Sequence, residues 1–145
     1  MTLPALALVA LGSAATFDHS AFDSLLRRHV KDGLVDYDGF RNDAAFKAYL
    51  EALARAVVAS LPEPERLAFW INAYNAYTIE LINRHGERES IRNINRTLGI
   101  TLKGPWREPI VRAAGQVLHL DNVEHDIVRK QFREPARAGC GRPRA

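Results

Sequence analysis

The sequence predicts a mostly helical α+β domain with about four helices and a small β-hairpin before the last helix. Three observations support this fold class. Apolar residues recur with a helical period in three segments before residue 86 and in a fourth after residue 120. Between them, two short apolar runs flank a turn that contains Gly115. No internal repeat or linker interrupts the 145 residues, a length that suits one domain with its own core.

Two helices are expected in the first 60 residues. The first should begin at Asp18, a good N-capping residue, and end at Gly33, with a short extended piece over residues 34–37 after it. The second should occupy residues 43–60, where Pro62 and Pro64 separate it from the next helix. The apolar faces should be formed by Phe22, Leu25, Leu26, His29 and Val30 in the first helix and by Phe46, Tyr49, Leu50, Leu53 and Val57 in the second. The histidine in this set should lie at the rim of the core.

The third helix, over about residues 63–85, should form the centre of the fold. One side presents large apolar side chains within a narrow arc, and the opposite side carries Asn72, Asn75, Ile79 and Asn83. A helix that is apolar nearly all round is buried on most sides, so the amides of Asn72 and Asn75 should be buried and need partners. They either bind the backbone of neighbouring loops or orient a catalytic group or substrate. The apolar arc consists of Leu67, Trp70, Tyr74, Tyr77 and Leu81.

A hairpin and a last helix complete the predicted domain. Residues 87–108 are polar, and their glycines and prolines indicate a loop with a short strand over residues 100–102. Residues 110–112 and 116–118 should pair across a three-residue loop. The last helix should begin near Leu120, and its buried face should consist of Leu120, Ile127, Val128 and Phe132.

An acid–histidine pair lies in the first turn of that last helix. Asp121 and Glu124 have nearly the spacing of a capping box, which would account for the glutamate. A helical wheel instead places Glu124 in the middle of the apolar face, with His125 at its edge and Arg129 one turn later. A carboxylate on an apolar face must be paired, capping, protonated or catalytic. His125 is the best general acid–base candidate, because imidazole titrates near neutral pH. The sequence shows no comparable setting for His19, His85 and His119.

Composition excludes several classes of function. Hydrophobic residues make up 47% of the chain and charged residues 26%, which excludes collagen-like and wholly disordered proteins. A single cysteine cannot form an internal disulfide, and no Cys/His cluster has zinc spacing, so neither a metal nor a cofactor is expected. Nucleic-acid binding is not expected either, because no groove-reading motif accompanies the net charge of +3.

The N-terminus resembles an export signal. Residues 3–15 are apolar or small and uncharged, and they end in Ser13-Ala14-Ala15, which suits a cleavage site. We therefore expect residues 1–15 to be a signal peptide and the protein to be exported to the bacterial periplasm or cell envelope. A short buried N-terminal helix is the alternative. Once this leader is removed, no other apolar run of 18 residues exists, so stable membrane insertion is not expected.

Three segments resemble one protein family. Residues 33–37, 67–76 and 120–129 read G-L-V-D-Y, L-A-F-W-I-N-A-Y-N-A and L-D-N-V-E-H-D-I-V-R. They resemble the G-x-V-D-Y element, the W-I-N-A-Y-N-A signature and the L-D-x-I-E-H-x-I-L-R element of domain of unknown function 547. The resemblance assigns one domain to residues 17–135. It implies a mostly helical α+β fold, frequent in exported bacterial proteins, and no established activity.

The chain departs from this family after Pro135. Where the family continues with a segment like R-x-H-F-A-L-N-C-A-S, residues 136–145 form an irregular Arg/Gly/Pro ending. Residues 126–145 hold six Lys/Arg and two Asp/Glu, so the positive excess of the chain lies here. We expect a truncation or a frameshift, and the family's cysteine is not transferred to Cys140.

Two classes of function follow. In the intact family, a hydrolase-like acid–base or thiol site would use His125 as acid or base, a cysteine as nucleophile, and Glu124, Asn72 or Asn75 to orient the imidazole. The alternative is a non-catalytic module that binds an unknown small molecule or protein. The candidate binding residues are Trp70, Tyr74, Arg129 and Asp36.

Overall fold

Helices make up most of the structure, a computed structural model that describes residues 15–90, 93–94, 96–97, 100–101 and 104–132. It confirms the mostly helical α+β class. The helices are α1 (Ser20–His29), α2 (Tyr37–Asn42), α3 (Ala44–Arg55), α4 (Glu63–His85), a π-helix over Asn122–Val128 and α5 (Arg129–Gln131), with a 3₁₀ turn at Pro105–Arg107. Antiparallel hairpins pair β1 (Val30–Lys31) with β2 (Leu34–Val35), β3 (Arg96–Thr97) with β4 (Ile100–Thr101), and β5 (Val111–Ala113) with β6 (Gln116–Leu118).

Helix α4 is the centre of the core, and its predicted bounds are confirmed. It begins after Pro62, with Pro64 in its first turn, and ends at Gly86, whose left-handed φ of 66° is easily adopted only by glycine. Helices α2 and α3, strand β5 and the π-helix all pack against it. The buried residues of α4 are Phe69, Trp70, Ala73, Ala76, Tyr77, Ile79, Leu81, Ile82 and Asn83.

The buried amide of α4 is not one of the two that the sequence indicated. Asn75 is exposed and Asn72 is half-buried, so their expected burial is wrong for the first and only partial for the second. Asn83 is only 5% exposed. Its Oδ1 accepts a hydrogen bond from the Arg88 guanidinium at 3.3 Å, and its main-chain carbonyl accepts one from Arg41 at 2.5 Å. Because Asn75 is exposed and Asn72 is only half-buried, the surface of α4 that carries residues 71, 72 and 75 is partly uncovered.

Helix α1 stops four residues earlier than expected, because a tight turn follows it. Gly33 does not end the helix; Asp32 (φ 51°) and Gly33 (φ 77°) form the two-residue turn of the β1–β2 hairpin. Two consecutive positive φ values are typical of a type I′ turn, for which Asp-Gly is a preferred sequence. Asp18 still bonds the start of α1, since its Oδ1 accepts the Ser20 amide at 2.8 Å.

The predicted second helix is shortened, and a separate helix, α2, precedes it where the sequence predicted none. Asp36 and Asp43 cap α2 and α3 separately, by accepting the main-chain amides of Gly39 at 2.9 Å and Ala45 at 3.0 Å. Helix α3 ends at Arg55, so Val57 is not part of an apolar face and is 74% exposed.

The β5–β6 hairpin ends α3 and is itself tied to α4. Its turn has two residues, Ala114 (φ 50°) and Gly115 (φ 72°), and not the three expected. Their amides donate to the carbonyls of Leu53 and Ala54, both at 2.9 Å, and so satisfy the free C-terminal carbonyls of α3. On the other side, the Tyr77 hydroxyl donates to the carbonyl of Arg112 at 2.6 Å.

Some predictions fall outside the described residues. All of the proposed signal peptide except Ala15 lies there, as do Cys140 and the rest of the basic ending. The strand predicted over residues 100–102 is described for Ile100–Thr101 only. None of the helices in the described ranges combines the length and hydrophobicity that crossing a bilayer requires.

The first prediction concerns the bond between α4 and the hairpin. Tyr77→Phe should lower the free energy of unfolding by about 1–2 kcal/mol, because it leaves the Arg112 carbonyl without its short hydrogen bond. Tyr74→Phe is the matched control on the same helix, since its hydroxyl makes only a 3.4 Å contact with Glu124, and it should cost less than about 0.5 kcal/mol. Urea unfolding measures both values, and equal losses would contradict the assignment.

Candidate functional site

A groove brings together residues of two sequence motifs. It lies between α4 and the last helical segment, which consists of the π-helix (Asn122–Val128) and α5 (Arg129–Gln131). It has a volume of about 290 Å³ and is lined by Ile71, Tyr74, Glu124 and Val128. The first two residues come from the motif over residues 67–76, and the last two from the motif over residues 120–129. Ile71 is 43% exposed, although it lies near the middle of the central helix. We refer to these four residues as the α4 groove.

The wide turn of the π-helix positions Glu124. Its main chain follows a π-helix from Asn122 to Val128, a rare conformation that often occurs at functional sites. Arg129, five residues after Glu124, donates from its guanidinium to Oε1 of the glutamate at 2.5 Å. The capping-box interpretation is wrong, because Asp121 makes no side-chain cap. Asn122 acts there instead, by accepting the His119 amide at 3.2 Å.

Tyr74 links the carboxylate to α4. Its hydroxyl donates to Oε2 of Glu124 at 3.4 Å. Burial raises the pKa of Tyr74, and the adjacent Glu124 carboxylate raises it further. The phenol therefore stays protonated at neutral pH and acts as a hydrogen-bond donor. Three of the predicted site residues, Tyr74, Glu124 and Arg129, are thus brought together by the fold.

His125 lies apart from these groups. It is exposed and borders a larger groove of about 510 Å³, whose other lining residues are Arg107, His119, Asp121, Asn122 and Asp126. Within the described ranges, no hydrogen bond joins its imidazole to Glu124, Asn72 or Asn75. The expected orienting partner of His125 is therefore not supplied by these side chains, and a catalytic role for it stays a prediction.

Trp70 and Asp36 have positions that serve the fold. Trp70 is 4% exposed, and its ring packs edge-on against Phe69 at a centroid distance of 5.2 Å. Asp36 caps α2, and its Oδ2 lies 3.9 Å from Nδ1 of His29. Neither residue lines the α4 groove. Their proposed binding roles are still predictions.

Three other histidines have specific polar partners, which the sequence did not indicate. The Nε2–H of His29 donates to Asp43 at 3.2 Å, and Nε2 of His85 lies 2.6 Å from Glu108. Nδ1 of His19 shares a hydrogen bond of 2.8 Å with the Tyr49 hydroxyl. The contact between His29 and Asp43 joins residues 14 positions apart. The other contacts join residues 30 and 23 positions apart, beyond any local pattern.

The ring of His19 is half-buried. The ring packs 4.8 Å from that of Phe17, measured between centroids, and its Nε2 has no hydrogen-bond partner among the described residues. Burial lowers the pKa of His19, whereas the charges of Glu65 and Asp18 oppose that change. The folded protein therefore favours the neutral imidazole at this position.

No group of three or more His, Cys, Asp or Glu side chains in the described part of the chain is arranged to hold a metal ion. The chemistry available in the α4 groove is therefore that of one carboxylate, one phenol and two aliphatic side chains. Such a set can bind an apolar ligand that carries a hydrogen-bond donor.

Fold and groove together define a small, mostly helical α+β domain with a surface groove between two helical segments. A family model, "Protein of unknown function, DUF547", matches residues 58–144 of the chain. Because this range exceeds half of the sequence, the chain belongs to that family. The match includes α4, the last helical segment and the basic ending over residues 136–144, and it does not include residues 17–57. No curated protein and no solved structure matches the chain.

The second prediction is the pH dependence of stability at His19. The pKa of His19 is lower in the folded than in the unfolded state. When the pH lies between the folded-state pKa and the ordinary pKa near 6.5, the unfolded state therefore binds more protons. The contribution of His19 to the free energy of unfolding should therefore have its full value above about pH 7. It should decrease as the pH falls through 6.5. His19→Asn should flatten this slope in urea titrations between about pH 5 and 8, with Ser24→Ala on the exposed side of α1 as control. Parallel curves for wild type and His19→Asn would contradict the prediction.

Proposed function

We propose that this domain is a non-catalytic binding module and that the α4 groove is its ligand site. One observation carries the proposal: the two most specific motifs of the sequence meet across this groove. A module of this kind needs a concave, mostly apolar surface with a few polar groups that orient the ligand. The groove has this composition, although its volume of about 290 Å³ is at the small end of the usual range.

The different burial of residues within the two motifs supports this proposal. Phe69, Trp70 and Ala73 of the first motif and Leu120 and Val123 of the other are buried in the core. Packing accounts for these residues. It does not account for an isoleucine that is 43% exposed beside a phenol and a carboxylate. An exposed large apolar side chain in a concave site, next to oriented polar groups, is typical of a ligand-binding surface.

A titration with an uncharged probe tests the binding function. In methyl ¹³C spectra, n-pentanol should shift the Ile71 and Val128 signals with a Kd on the order of millimolar, the range expected for six heavy atoms. Ile71→Asp should abolish the saturable shifts, because it places a second carboxylate in the groove. Val117→Asp is the control, since Val117 is 62% exposed but does not line this groove.

If pentanol shifts the methyl groups of Val57, Val117 and Ile71 to the same extent and without saturation, exposed apolar residues bind it non-specifically and the proposal is wrong.

A hydrolase-like acid–base site centred on His125 is the second candidate function. The observation in its favour is that an exposed imidazole shares the larger groove with His119, Asp121 and Asp126. A side chain that is open to solvent and near carboxylates can exchange protons with a bound substrate. In the intact family a cysteine would be the nucleophile, and the corresponding residue of this chain is unassigned.

Ester turnover tests the second candidate. If His125 is the acid–base group, His125→Gln should lower the hydrolysis of p-nitrophenyl acetate by about 10²–10⁴-fold. His85→Gln is the control, because His85 is a surface histidine bound to Glu108 and lies outside this groove. Equal rates for both variants, or no hydrolysis by the wild type above the buffer rate, would reject an acid–base role.

A further inference from the structure

We propose that the α4 groove selects ligands that combine an apolar body with a cationic head, such as a primary ammonium group. This inference rests on the proposed binding function and names the class of ligand for the same site. It follows from the charge within the groove, from the free acceptor capacity of Glu124 and from the side chains around it.

The charge that faces the groove is negative. Of the described residues that line it, only Glu124 is charged. Arg129 binds the same carboxylate, but it approaches Oε1 and does not line the groove. A ligand in the groove therefore contacts the Glu124 carboxylate, whereas Arg129 is not one of the lining residues. A carboxylate or phosphate head would be repelled at this position, whereas a cation would be attracted.

Glu124 retains room for another donor. Among the described residues, Oε2 accepts a hydrogen bond from the Tyr74 hydroxyl at 3.4 Å, well beyond the 2.7–2.8 Å of an ordinary hydroxyl–oxygen bond. Since a carboxylate offers about four acceptor sites, it can bind Arg129 and a ligand ammonium at the same time. A hydrogen bond between two charged groups is stronger than one between neutral groups, and so this head group contributes most to selectivity.

The rest of the groove suits an aliphatic chain next to a cation. Ile71 and Val128 provide apolar contact on either side, one from each motif. The Tyr74 ring adds a π face, which attracts ammonium groups within about 6 Å of its centre. Together these side chains fit a short alkylamine.

Three probes with the same number of carbon atoms test the ligand class: n-pentylamine, n-pentanol and n-pentanoate. Each is titrated into the full chain near pH 7, and the methyl shifts of Ile71 and Val128 report binding. The amine should bind on the order of tenfold more tightly than the alcohol, and the carboxylate more weakly than either. This advantage should decrease at high salt, because part of it is the attraction of exposed charges.

Two substitutions with opposite effects sharpen the test. Glu124→Gln keeps the shape of the side chain and should reduce amine binding to the level of the alcohol. Arg129→Ala should increase amine affinity several-fold, because it removes the intramolecular cation that competes for Glu124. Asp126→Asn is the matched control. Asp126 belongs to the same π-helix, but its carboxylate lines the larger groove beside His125, so its removal should leave amine binding unchanged. Circular dichroism confirms that each variant is folded.

The outcomes separate this inference from the proposed function. If the alcohol and the amine bind the wild type equally and Glu124→Gln has no effect, the α4 groove is still a binding site, but its preference for a cationic ligand is wrong. Pentanoate binding that is lost in Arg129→Ala would also overturn it, in favour of an anionic ligand. Failure of all three probes to shift Ile71 and Val128 would overturn the binding function and this inference together.

Discussion

The burial of α4 on nearly every side is the constraint on which the rest of the structure depends. A helix of 23 residues that buries an aromatic cluster near its start and aliphatic residues near its end must be surrounded, because exposure of that surface would remove most of the hydrophobic stabilisation. Helices α2 and α3, strand β5 and the π-helix provide this cover. They do not enclose the helix completely. The strip around Ile71 and Tyr74 stays accessible, and the last helical segment forms the opposite wall of a groove along it.

The sequence was sufficient for the elements whose signals are local. Helix α4 could be predicted to the residue, because prolines mark its start, Gly86 marks its end and the apolar period is unbroken between them. The errors have two kinds of physical cause. The sequence Asp32-Gly33 is compatible both with the end of a helix and with a hairpin turn. Which of the two forms depends on whether the flanking residues pair as strands, as they do here. The end of α3 depends on amides of Ala114 and Gly115, some 60 residues later, which no local pattern contains.

The site was predictable in its components but not in its arrangement. The carboxylate on the apolar face was expected to be paired, capping, protonated or catalytic, and Glu124 is paired, with Arg129 one turn later. The wheel that joined Glu124 to His125 assumed 3.6 residues per turn, whereas this segment is a π-helix with hydrogen bonds over five residues. The wider turn aligns Glu124 with Arg129 and leaves His125 facing solvent. The asparagines of α4 were misjudged for a related reason: a helix can be apolar nearly all round and still leave one strip uncovered.

The two motif segments meet at Tyr74 and Glu124 to form one groove. The most direct measurement is a nuclear Overhauser spectrum of the protein with selectively labelled tyrosine and glutamate. The 3.4 Å contact between the Tyr74 hydroxyl and Oε2 of Glu124 predicts cross-peaks between the ε-protons of the Tyr74 ring and the γ-protons of Glu124. A spectrum in which the Tyr74 ring shows cross-peaks to other residues of α4 but to no proton of Glu124 or Val128 would contradict the account.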